Sequence, residues 1–202
     1  MKKCAGIEDR DFDELLPDLN DVNNKTFAVL NESAGERMRE AILEAASDGD
    51  SVGGILETAI VGMPAGVGEP WFDTVESMLS HMMFSIPAVK GIEFGAGFAI
   101  ADMRGSECND RFDIQNGQIV TLTNNCGGIL GGITSGMPVV FTLAVKPTPS
   151  IGREQDSVSL SRKEDTKLVI HGRHDPCIVP RAVPVVEAAA AIAIYDALLE
   201  QE

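Results

Sequence analysis

Strand-like and helix-like segments follow one another in this chain without a regular beat, and that order narrows the folds open to it. Residues 52–61 read as a strand opened by Gly53-Gly54. Residues 91–103 read as a second strand loosened by three glycines, and residues 137–145 and 168–171 as two shorter ones. Between them lie helix signals. Ser33 and Glu36 have the spacing of a capping box, in which the hydroxyl and the carboxylate satisfy each other's backbone amides. Met38, Ala41, Ile42 and Ala45 follow at helical spacing, and Gly49 is a natural stop. Pro70 suits the start of a second helix, whose apolar face is Phe72, Val75, Leu79, Met82 and Met83. Residues 181–199 form a last helix, in which Ala188-Ala189-Ala190-Ala191 permits close packing. Residues 104–118 read as polar loop, and residues 1–29 as an irregular acidic lead-in. Mixed elements without strand–helix alternation favour an α+β fold over a doubly wound sheet.

Charge and cysteines exclude several functions. The formal net charge is −15, the wrong sign for nucleic acid, where basic surface supplies most of the affinity. The excess lies early: residues 1–80 hold 17 acids against 6 bases, and residues 81–202 hold 14 against 10. The acidic first part reads as solvated surface, and an anion site belongs in the second part. Cys4, Cys108, Cys126 and Cys177 are too widely spaced for a zinc site or a dithiol motif, so reduced thiols and no metal are expected. No apolar run approaches the ~20 residues of a membrane span. The first residues carry no apolar stretch of signal-peptide length, so a cytoplasmic location is expected.

Three segments have the composition of a ligand site. Residues 124–136 contain five glycines; successive amides in such a loop cradle an anion, or simply turn the chain. This is no P-loop, because Ile133 stands where the lysine belongs. Lys146-Pro147-Thr148-Pro149-Ser150 offers one cation and two hydroxyls on a proline-stiffened loop, which suits a phosphate. Gly172-Arg173-His174-Asp175-Pro176 lies between a strand and a helix. Its arginine suits bidentate capture of phosphate or carboxylate, and its aspartate a base; the alternative is an Arg173–Asp175 ion pair. His81 reads as a helix residue and His171 as a strand end, and nothing fixes a partner for His174.

Taken together these blocks are familiar. Residues 173–187, the stretch Ser85-Ile86-Pro87-Ala88-Val89-Lys90-Gly91 with Glu93, the Gly127–Ile133 block and the Lys146–Ile151 block occur in the order of the chorismate synthases. Residues 30–202 resemble the C-terminal portion of that family. The resemblance implies a β-α-β sandwich of antiparallel sheets around helices, assembled as a homotetramer. It implies elimination of phosphate from 5-enolpyruvylshikimate 3-phosphate to give chorismate, on the route to aromatic amino acids. It implies reduced FMN as cofactor, with NADPH needed only indirectly, to reduce the flavin. By the same resemblance Pro87, Ala88, Gly131, Lys146, Pro147, Thr148, Pro149, Ser150 and Arg173 contact the flavin. Pro87 lacks an amide hydrogen, so only its carbonyl or ring is available. Arg173 also serves the substrate, and Asp175 assists removal of the ring proton.

The N-terminal portion of the family has no counterpart here. No Gly-x-Ser-His-Gly block and no Arg-Ser-Ser-Ala-Arg block is present, and the family's two catalytic histidines belong to that region. Three readings follow: a truncated chorismate synthase inactive alone, half of a split enzyme completed by another chain, or a non-catalytic FMN- or phosphate-binding module.

Overall fold

The computed structural model describes residues 1–201. In chain order the elements are β1 (Lys3–Cys4), β2 (Ile7–Glu8), α1 (Leu15–Asn23), α2 (Glu32–Ser47), β3 (Gly54–Ile60), α3 (Val75–Ser85) and β4 (Val89–Phe94). They continue with α4 (Gly105–Cys108), β5 (Phe112–Gln115), β6 (Gln118–Thr121), β7 (Ile129–Leu130), β8 (Ile133–Thr134), β9 (Val139–Val145), β10 (Gln155–Ser159), β11 (Glu164–Leu168) and α5 (Val179–Leu199).

One antiparallel sheet, in the order β2-β1-β3-β9-β4, organises the molecule. Its central strand β9 alternates with period two. Val139, Phe141, Leu143 and Val145 are buried, while Val140, Thr142 and Ala144 are not. One face is therefore core and the other is open. The core face carries α3 and α5, which lie side by side. Val75, Leu79 and Met83 come from one helix and Val186, Ala190 and Ala193 from the other. The remaining ladders, β5–β6, β7–β8 and β10–β11, are separate hairpins. The fold is α+β, a sheet-and-helix pair of layers.

Several local expectations are corrected. Residues 1–29 are not irregular: β1 joins the sheet through β3, and α1 spans Leu15–Asn23. Two of the acids there act as staples, while the others are exposed. Asp9 accepts from the amides of Leu30 (2.5 Å) and Asn31 (2.8 Å). Asp18 is buried and takes Arg10 in bidentate fashion at 2.8 and 2.9 Å, along with the Asp13 amide. The capping box at Ser33 does not form; Asn31 caps α2 by accepting from the Ala34 amide, because the helix starts two residues earlier than that box requires. Thr74, not Pro70, caps α3, and Phe72 sits 84% exposed on a 3-10 turn.

Strand β4 ends at Phe94. The chain then coils into a 3-10 turn (Gly97–Asp102), where the Glu93 carboxylate accepts the Phe98 amide (3.1 Å). The polar stretch 104–118 contains α4 and most of the β5–β6 hairpin. The strand expected at 168–171 is displaced into β11, which pairs with β10. Finally, α5 does meet the length and mean hydropathy (1.8) of a membrane span. Arg181, Glu187 and Asp196 interrupt it; Val186, Ala189, Ala190, Ala193 and Ala197 are buried, while Val185, Ile192 and Tyr195 are exposed.

Candidate functional site

Three of the loops singled out from sequence converge where β9 leaves the sheet. The Lys146 amide donates to the Ala88 carbonyl (2.9 Å), which brings Pro87-Ala88 against the start of the Lys146–Ser150 loop. Two adjacent residues then tie that loop to the next. The Ser51 hydroxyl donates to the Thr148 carbonyl (2.7 Å) and the Val52 amide donates to the Pro176 carbonyl (2.8 Å). Gly152 donates to Gly49 (2.8 Å), and Arg153 pairs with Asp50 (3.0 Å), closing the far side. The turn at residues 49–52 is thus the hinge-pin of the site. Its contribution is backbone geometry, which no motif in its sequence announces.

Several polar groups carried by these loops have no partner among the described residues. Lys146 and Arg173 make no ion pair among the described residues. The Thr148 hydroxyl is buried and has no hydrogen-bond partner; an orphaned buried hydroxyl costs about 1–3 kcal/mol unless something satisfies it. Ala88 holds φ at +76°, a strained value for a residue with a side chain, and such strain collects at functional sites.

The expected alternative for Arg173 and Asp175 is not realised. Asp175 accepts from Arg181, one turn into α5, and Arg173 stays exposed. His174 is spoken for: its Nε2 lies 2.9 Å from the Ile170 carbonyl, which makes it a structural donor. His81 and His171 are exposed.

Gly131 lies elsewhere. With Gly132 it forms the two-residue turn of β7–β8, both at positive φ (+62° and +92°), as the primed hairpin turns demand. The Val75 amide donates to the Gly132 carbonyl (3.0 Å), so this hairpin caps the N-terminal end of α3. That is the start of β9, about 20 Å from Lys146 by the rise of a seven-residue strand. The glycine-rich approach to it is held by Asp110, which accepts from Thr123 Oγ1 (2.6 Å) and the amides of Asn125 (2.7 Å) and Cys126 (2.8 Å). Burial opposes ionisation of Asp110, but these donors outweigh it and hold the carboxyl below its ordinary range.

An antiparallel sheet backed on one face by helices defines an α+β protein. The chain belongs to the chorismate synthase family, whose model matches residues 5–199; the match begins well before residue 30. It is 52% identical over 172 residues to the chorismate synthase of Thermococcus gammatolerans, covering 85% of this chain and 48% of that protein. With the chorismate synthase of Methanosarcina acetivorans it shares 48% over 188 residues, covering 93% of this chain and 51% of that one. A solved crystal structure of chorismate synthase superposes with a TM-score of 0.75 at 30% identity, covering 93% of this chain and 49% of the other. The chain spans about half the length of the curated relatives it matches.

Proposed function

We propose that this chain supplies the flavin- and substrate-holding wall of a chorismate synthase site, where 5-enolpyruvylshikimate 3-phosphate loses phosphate to give chorismate. One observation carries the proposal. In a chain of this family, the loops carrying Lys146, Thr148 and Arg173 are tied together at one end of the sheet, the Thr148 hydroxyl is buried without a partner, and neither cation makes an ion pair among the described residues. That donor set fits FMN: Lys146 and Arg173 supply charge and Thr148 a short-range hydrogen bond. Pro87, Ala88, Pro147, Pro149 and Ser150 shape the same wall. Gly131, a strand's length away, reaches the ligand along the strand or from a second copy of the chain.

When bound, reduced FMN supplies electron density to a ring that becomes electron-poor as the allylic C–O bond to phosphate breaks. The chain's own residues do the rest. Arg173 offsets the negative charge that develops on the departing phosphate. Asp175 is oriented by Arg181 to take the ring proton. A cytoplasmic homotetramer fits this reading.

FMN titration of the folded chain tests the wall. Lys146→Ala and Arg173→Ala are each expected to weaken binding by about tenfold or more, as for loss of a charged hydrogen bond; unchanged affinity in both sinks the assignment. An anaerobic chorismate assay with reduced FMN then tests the chemistry, with the chain alone and mixed with a polypeptide matching the other half of its relatives. Chorismate only from the mixture supports half of a split enzyme. A second reading is a non-catalytic FMN- or phosphate-binding module. FMN binding with no chorismate from either sample counts against the split enzyme and fits both a truncated, inactive chain and that module.

A further inference from the structure

Gly54 is the reason that two cysteines remote in sequence touch. A Cβ at this position would meet the Lys3 carbonyl oxygen at 2.3 Å, Cys4 Cα at 3.2 Å and Val179 Cγ2 at 3.2 Å. Only glycine lets β1 and the start of α5 close on β3 together. Cys4 pairs with Gly54 across the ladder, and Cys177 stands two residues before Val179. Their sulfurs lie 3.5 Å apart. Both are in the core, Cys4 at 0% and Cys177 at 6% exposure, and neither takes part in the wall described above.

We propose that Cys4 and Cys177 are a redox pair that closes to a disulfide, fastening the loop of Arg173 and Asp175 to strand β1. The bond requires sulfurs at about 2.0 Å, so the pair must approach by roughly 1.5 Å, a displacement that side-chain rotation supplies in part. Glutathione disulfide serves as oxidant. The Cys177 thiolate attacks one of its sulfurs and releases one glutathione thiolate; the Cys4 thiolate then attacks the mixed disulfide at Cys177 and releases the second. Two protein thiols give up two protons and two electrons, and the oxidant becomes two thiols. Cys177 reacts first because it keeps some exposure and Cys4 has none. The crosslink sits two residues from Asp175 and four from Arg173, and it spans nearly the whole chain.

The test is peptide mapping. Folded protein is incubated with glutathione disulfide beside a reporter dithiol peptide, quenched in acid, alkylated and digested without reductant. The expected product is a joined peptide containing Cys4 and Cys177, lighter than its two parts by two hydrogens. Amide exchange at residues 172–177 is expected to slow by about tenfold or more in the oxidised protein and to recover with dithiothreitol. Cys4→Ser is expected to abolish the joined peptide and leave glutathione on Cys177. Recovery of both cysteines as alkylated thiols while the reporter is fully oxidised overturns the proposal, and that result needs no variant to fold. A joined peptide with unchanged exchange overturns the fastening.

Discussion

Thr148 shows what a single atom can say. Its side-chain oxygen is buried without a partner, so in the free chain the hydroxyl is a burden and in the bound chain an asset. Thr148→Val is expected to leave the melting temperature of the free protein unchanged or raised. The same change should weaken FMN binding by about 2- to 10-fold, the worth of one neutral hydrogen bond. Melting curves and titration of the same sample separate the two effects. Asp110 is the opposite case, a side chain that serves structure alone. Asp110→Ala leaves the amides of Asn125 and Cys126 without an acceptor, and a loss of about 1–3 kcal/mol is expected in denaturant unfolding. The Cys4–Cys177 pair has its own asymmetry. The contact with Cys177, together with burial, pushes the Cys4 thiol up, and the same contact draws Cys177 down.

Among the elements, the helices were more legible than the hairpins. The apolar face of α3 follows from Val75, Leu79 and Met83 at spacing four, since helical periodicity is a local property. Its start did not follow, because Pro70 and Thr74 are both plausible starters and only the packing of Gly132 beside Thr74 selects the second. Asn31→Ala removes the cap actually used by α2 and should cost about 1 kcal/mol in thermal unfolding, whereas Ser33→Ala should cost little. Strand β9 was recognised as apolar, and its alternation places Leu143 wholly in the core. Leu143→Ala is expected to cost about 2–5 kcal/mol by chemical denaturation. The β10–β11 hairpin is not legible, since its polar strands lack the apolar alternation that marks a half-buried strand; β5 alternates Phe112 and Ile114 with Asp and Gln, but over only four residues inside a polar stretch.

At the scale of the whole molecule, the acidic N-terminal segment is held by ion pairs that depend on pH. The Arg10 guanidinium beside Asp18 holds that carboxyl well below the usual carboxylate range, and the Ser51 amide and Arg153 lower Asp50. A depressed folded value means stability that is whole above the unfolded value, about 3.9 for Asp, and lost as pH falls through the folded one. Stability is thus expected to decline below about pH 4, with residues 9–23 loosening first by amide exchange. Asp18→Asn should flatten that decline. An equal slope in the variant would remove Asp18 from the account.

By itself the sequence determined the α+β class, the core faces of α2 and α3, and four blocks specific enough to point to the chorismate synthases. These are local matters: residue type, periodicity and motif order survive without knowledge of the fold. Only the tertiary structure decided that Pro87-Ala88, Lys146–Ser150 and Arg173–Asp175 share one end of the sheet while Gly131 stands at the other. It alone showed that Asp175 answers to Arg181 rather than Arg173, that Asp9 and Asp18 are staples within an otherwise exposed acidic surface, and that Cys4 meets Cys177. Each of these is a contact between segments far apart in the chain. Such contacts are set by which strands pair and how closely Gly54 lets them approach, and no local pattern of residues encodes that.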